Sequence, residues 1–260
     1  MSAWHSLYVF TSRFLENMLS DWLTKQEYIR YDPFNTLGGA AYPQAMRLFL
    51  APTVDDVSRI LAECNDEAAV MALAVDLSFC GPCLSVRLNG TNANIVLYHD
   101  GQETHDWMMI ARRNILPSQL QAARQPVAAH ARSSSLIPVE DMPAILQTMA
   151  QTISQHQVGR LFQKMAYQVM SRSQQTAAEK FLQGLPRWDS ADGQMLMSCM
   201  SLLRVPKMWR EPDFSTLRTA YWLNLRRRTQ PNAPLLPGDD NALRRVPDAL
   251  TYTPLYGGKV

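Results

Sequence analysis

"TQPNAPLLPGDDNALRRVPDALTYTPLYGGKV", residues 229–260, is the stretch whose reading decides what kind of fold this chain has. It holds five prolines and follows neither a helical nor a strand period. Proline lacks a backbone donor and is excluded from helix interiors and central strands. A segment so composed buries too little apolar surface to offset its chain entropy, so it reads as an extended tail. Yet it carries Leu235, Leu236, Leu250, Tyr252, Leu255 and Tyr256. Such side chains are anchors, and an extended segment with anchors reads as a clasp ordered along another protein subunit.

Immediately before the tail, residues 214–228 have helical spacing, with Phe214, Leu217, Tyr221 and Leu225 on one face. Arg226, Arg227 and Arg228 fall in the last turn, where cations meet free carbonyls. Together with Arg204, Lys207, Arg210 and Arg218, and with Trp209 and Trp222 interleaved, they form a candidate phosphate-contacting surface. Charge is divided accordingly. Residues 1–130 carry nine Lys/Arg against thirteen Asp/Glu, a balance of −4, and residues 131–260 carry sixteen against ten, a balance of +6. A basic half can meet RNA, an acidic lipid surface or an acidic protein.

Further upstream, helical spacing continues over 105–115, 117–124, 142–171, 174–183 and 191–203, with residues 125–138 as a linker. Strands are expected at 46–51, 69–79, 83–90 and 94–101, and Asn89-Gly90 signals a hairpin. Thr53 followed by Asp56 resembles a capping box, which predicts a helix reaching "ECND" at 63–66. Residues 28–44 combine turn formers with aromatics and read as an ordered loop. Trp4, Leu7, Thr11, Phe14, Leu15, Met18 and Trp22 predict an amphipathic helix over 4–23.

These elements add up to an α+β chain. Its body is predominantly helical, with a small central antiparallel sheet at about residues 46–100 and an extended C-terminal tail. The divisions are an N-terminal helix (1–27), an α+β segment (28–124), the linker (125–138), a helical segment (139–228) and the tail (229–260).

The clearest chemical motif is Cys80-Gly-Pro-Cys83. A redox-active pair needs a helix to begin at the tetrad, so that its N-terminus stabilises a thiolate. The next residues, "LSVRLNG" (84–90), alternate like a strand. A structural zinc site needs four ligands, and the chain offers one knuckle plus Cys64, Cys199 and scattered histidines. The reading adopted is a Gly-Pro turn between two strands. "YHDGQETHDW" (98–107) gathers His99, Asp100, Glu103, His105 and Asp106, and its residues suit a turn and a helix start.

No apolar run approaches the roughly 18 residues of a membrane span, and the N-terminus lacks the layout of a secretory signal. Four cysteines without paired spacing along the chain fit an intracellular, reducing compartment, a mitochondrial one included. No cofactor or metal is implied. The expectation is therefore a non-catalytic structural subunit of a large assembly, such as a respiratory or ribosomal complex, clasping other protein subunits through its termini. The alternatives are an RNA-binding or coat-type protein using residues 160–228, and a thiol- or metal-dependent enzyme at Cys80 and Cys83. Peripheral membrane contact fits the same basic surface.

Overall fold

The computed structural model describes residues 4–32, 34, 42, 44–64, 66–110, 187–206, 209, 214–232, 235 and 239–259. The organising element is one open antiparallel sheet of eight strands. The strands are β1 (Trp4–Phe10), β2 (Ile29–Arg30), β3 (Gln44–Leu50), β4 (Val57–Cys64), β5 (Cys83–Asn89), β6 (Asn92–His99), β7 (Gln102–Thr104) and β8 (Thr253–Lys259). Their spatial order is β2-β8-β3-β4-β1-β5-β6-β7. Two short strands close the edges, which limits the exposed ladder that another chain could pair with.

Alternation of side chains sorts the sheet into two buried faces. Leu7, Val9, Met46, Leu48, Ile60, Ala62 and Leu255 point to one face, under α1 (Glu16–Lys25) and α2 (Glu67–Leu77). Trp4, Tyr8, Phe49, Leu61, Leu84, Val86 and Tyr256 point to the other. That second face is covered by α3 (Ala191–Leu202), α4 (Phe214–Thr229) and α5 (Asp239–Arg245). The Tyr8 hydroxyl ties the layers by donating to the Trp209 carbonyl at 3.3 Å. The result is a helix–sheet–helix sandwich, so the expected helical body with a small sheet is overturned.

Four local readings change with it. Residues 4–10 form β1, buried on both faces, and the helix begins only at Glu16. A strand apolar on both faces supplies matches to any period, helical spacing included. Thr53 and Asp56 cap no helix. Asp55 and Asp56 take φ of 50° and 61°, and Val54 and Val57 exchange both backbone hydrogen bonds. This is the pattern of a two-residue type I′ hairpin turn, joining β3 to β4. Residues 67–77 are helix, where apolar content predicts a strand over 69–79. Asp66 caps that helix by accepting from the Ala68 amide at 2.9 Å, and alanine-rich composition settles the ambiguity of the apolar run.

The fourth change is the tail. It carries α5, a 3₁₀ turn at Ala249–Thr251 and strand β8, which lies between β2 and β3. Its prolines do not prevent this. Pro254 pairs with Phe49 of β3, while β2 reaches only Gly257 and Gly258, so the missing donor falls where β8 has no second neighbour. Gly258 is needed because a Cβ there would lie 2.1 Å from Cγ of Tyr42. The linker at 125–138 and the helices expected at 117–124, 142–171 and 174–183 lie outside the described residues. No helix among the described residues is long and apolar enough to cross a membrane.

Leu255 is 1% exposed in the face under α1 and α2. A core strand and a loose tail respond differently to its truncation. Leu255→Ala is expected to cost about 2–5 kcal/mol in urea denaturation, as for a core leucine, against the roughly 0.5 kcal/mol of a surface change.

Candidate functional site

The Cys-Gly-Pro-Cys tetrad joins the end of α2 to β5, where a turn between two strands was expected. Cys80 ends a 3₁₀ turn, and Cys83 opens β5 rather than a helix, so no helix N-terminus faces either sulfur. Cys83 is fully buried, and burial pushes its thiol far above the ordinary range. The Cys80 thiol donates to Sδ of Met18 at 3.0 Å. At Gly81, φ is 153°, and a Cβ would meet the Phe10 carbonyl oxygen at 2.4 Å. Among the described residues, no three His, Cys, Asp or Glu side chains gather as a metal site. The 98–107 stretch is likewise local structure. Asp100 and Gly101 form the β6–β7 hairpin turn, with φ of 48° and 78°. Asp106 caps a 3₁₀ turn by accepting from the Met108 amide at 3.1 Å.

Of the expected partner-binding anchors, Tyr252, Leu255 and Tyr256 are buried within this chain, and Leu235 and Leu250 are half-buried. Tyr252, Leu255 and Tyr256, expected to be anchors for a partner, thus fill this chain's own core. Leu236 lies outside the described residues. Of the expected phosphate contacts, Arg227 and Arg228 are exposed and Arg226 half-buried in the last turn of α4. Arg204 is exposed just beyond α3, and Lys207 and Arg210 lie outside the described residues.

Where β8 passes under α4, the structure opens a cavity of about 620 Å³. Its lining is Arg30, Tyr31, Asp32, Phe34, Tyr221, Leu225, Pro254 and Tyr256. Three distant segments contribute. β2 and the chain leaving it supply the first four, α4 supplies Tyr221 and Leu225 one turn apart, and β8 supplies Pro254 and Tyr256 on its α4-facing side.

The wall is a connected aromatic cluster. The Phe34 ring lies 4.9 Å from Tyr221 and 6.0 Å from Tyr256. Tyr256 also meets Tyr31 at 5.9 Å, Phe49 at 5.8 Å and Phe214 at 5.9 Å. Rings held by so many neighbours form a rigid surface that loses little entropy on binding.

Charge surrounds this wall. Arg30 is anchored by donating to Oγ of Ser20 at 2.8 Å. Arg47 pairs with Glu63 at 2.6 Å and donates to the Tyr31 hydroxyl at 3.4 Å. Burial raises the Tyr221 phenol, nearby Asp32 raises it further, and Arg228 opposes them. Burial likewise holds Tyr256 as a neutral phenol. The Tyr256 hydroxyl has no hydrogen-bond partner among the described residues, an arrangement that costs about 1–3 kcal/mol. Next to Tyr221 on α4, Trp222 is exposed, and the Arg226 guanidinium carbon sits 5.3 Å from its ring centroid. Tyr256, expected from sequence to be a partner anchor, lines this cavity, whereas Arg228 lies further along α4 and outside the lining. Sequence reasoning missed Arg30, Tyr31, Asp32 and Phe34, for which the aromatic content of 28–44 was the available signal.

Compared with known proteins, the chain matches no family model, no curated protein sequence and no solved structure.

On the opposite face, His5 is buried, with Nε2 3.0 Å from Oγ of Ser85. Burial, aided by Arg87, pushes its pKa down to about 4. The unfolded chain, with histidine near 6.5, therefore takes up the proton first. Stability should fall as pH drops below about 6.5 and level off below about 4, by about 3 kcal/mol in all. Urea denaturation across that range should show the slope, and His5→Gln should remove this share of it.

Proposed function

We propose that this chain binds a nucleotide unit, with the base against the aromatic wall of the cavity and the phosphate at the surrounding arginines. The observation that carries this reading is the cavity itself. Tyr31, Phe34, Tyr221 and Tyr256 line it, Arg30 lies in the lining, and Arg228 acts on the Tyr221 wall. Stacking on such rings is worth about 1–3 kcal/mol per base, because every base has a π-face. Guanidinium groups match phosphate oxygens with paired donors. The basic balance of residues 131–260 favours the same anionic class of ligand.

Titration with adenosine and uridine monophosphates, followed by NMR, is the direct test. Aromatic resonances of Phe34 and Tyr221 should shift on addition. Tyr221→Ala should weaken binding about tenfold, consistent with losing one stacking partner. Nucleotides that leave these resonances unmoved would sink the reading.

A second reading, a subunit of a larger assembly, is favoured by one observation. Phe14 and Phe79 are 72% and 61% exposed, and large apolar groups in the open suit a protein contact. With β8 internal, such a contact would use these side chains in place of the C-terminal clasp. Native mass spectrometry of the protein from its source should then show a large species that Phe79→Ser dissociates. A lone monomer would refute it.

A further inference from the structure

Trp222 stands next to Tyr221 on α4, yet it does not line the cavity. Consecutive helical residues project about 100° apart. The indole accordingly projects from a neighbouring stripe of α4, where 41% of its surface is exposed. Arg226, one turn further on, lies over the ring with its Cζ 5.3 Å from the centroid. An indole bearing a guanidinium and still open to solvent is a stacking platform, the second on this helix after the Tyr221 wall.

The cations continue the line. Arg226, Arg227 and Arg228 are consecutive in the last turn of α4, and Arg228 acts electrostatically on Tyr221. Two aromatic platforms within one helical turn, about 5.4 Å, with three guanidinium groups at its end, provide more than one nucleotide requires. A base held in a duplex cannot leave its stack to enter a cavity without unpairing.

We infer, on the strength of the nucleotide reading above, that the ligand is single-stranded nucleic acid. One base enters the cavity, its neighbour stacks on Trp222, and the last-turn arginines follow the phosphates. This deepens the proposed function by naming the form in which the nucleotide arrives.

The test compares a fluorescein-labelled uridine hexamer with uridine monophosphate as competitor, read by anisotropy, in the full chain and in Trp222→Ala. Trp222 is exposed, so its replacement is expected to leave the fold intact, which circular dichroism checks. The hexamer should bind at least tenfold tighter than the monophosphate. Trp222→Ala should remove most of that advantage while leaving monophosphate binding unchanged. The plot of log affinity against log salt should flatten by about 2 units in the triple variant Arg226→Ala/Arg227→Ala/Arg228→Ala, at about 0.7 for each phosphate no longer neutralised. A deoxyuridine hexamer in parallel distinguishes RNA from single-stranded DNA as the source of the strand.

Equal affinity for hexamer and monophosphate, an unaffected Trp222→Ala, or equal binding of a blunt duplex would overturn the strand inference and leave the nucleotide reading standing. Failure of both hexamer and monophosphate to bind would remove the nucleotide reading itself.

Discussion

The pairing of β8 with β3 is the contact on which the rest of this structure depends. Seven residue pairs, from Gln44 with Lys259 to Leu50 with Thr253, join segments about two hundred positions apart. The pairing extends the sheet, carries the short β2 strand on its far side, and sends alternate side chains into both cores. Leu255 seals the face under α1 and α2. Tyr256, one residue on, becomes the hub of the aromatic cluster on the other face. A one-residue slip in register would exchange these two roles, so the cavity is a direct product of the pairing.

Much of the chain was legible from its residues, and the misreadings share a cause. The strands at β3, β5 and β6 and the helices α3 and α4 stand where alternation and helical spacing place them. Misreading occurred where burial on two faces erased the period. β1 is apolar on both sides, so its spacing fits a helix as well as a strand. The α2 run fits either state, and a single cap at Asp66 separates them. Asp55 and Asp56 occupy a turn that glycine or asparagine usually marks, which left the β3–β4 hairpin without its customary signal. In β8 the signs were masked by composition, since one proline and two glycines sit where sheet-edge geometry and close ring contacts select them.

The site was legible only in fragments. Tyr256 and the α4 arginines were visible as residues awaiting a partner, but nothing local relates position 256 to position 31 or 221. That relation is tertiary, created by the strand order. The tetrad shows the reverse. A compact motif invited a chemical reading, whereas its parts serve backbone geometry at the entrance to β5, with Gly81 packed against the Phe10 carbonyl and the Pro82 carbonyl accepting the Phe10 amide at 2.9 Å. Spacing along the chain grouped these residues poorly in both directions, because strand order and packing decide which of them meet.

The order of synthesis adds a consequence. β8 emerges from the ribosome after every other described element, although it belongs between β2 and β3. Until it arrives, one side of β3 remains an open row of amides and carbonyls next to an unfinished apolar face. Such an edge recruits other strands, and nascent chains in this condition are prone to associate. This fold therefore passes its translation in a vulnerable state, and the step that ends that vulnerability is also the one that completes its aromatic cavity.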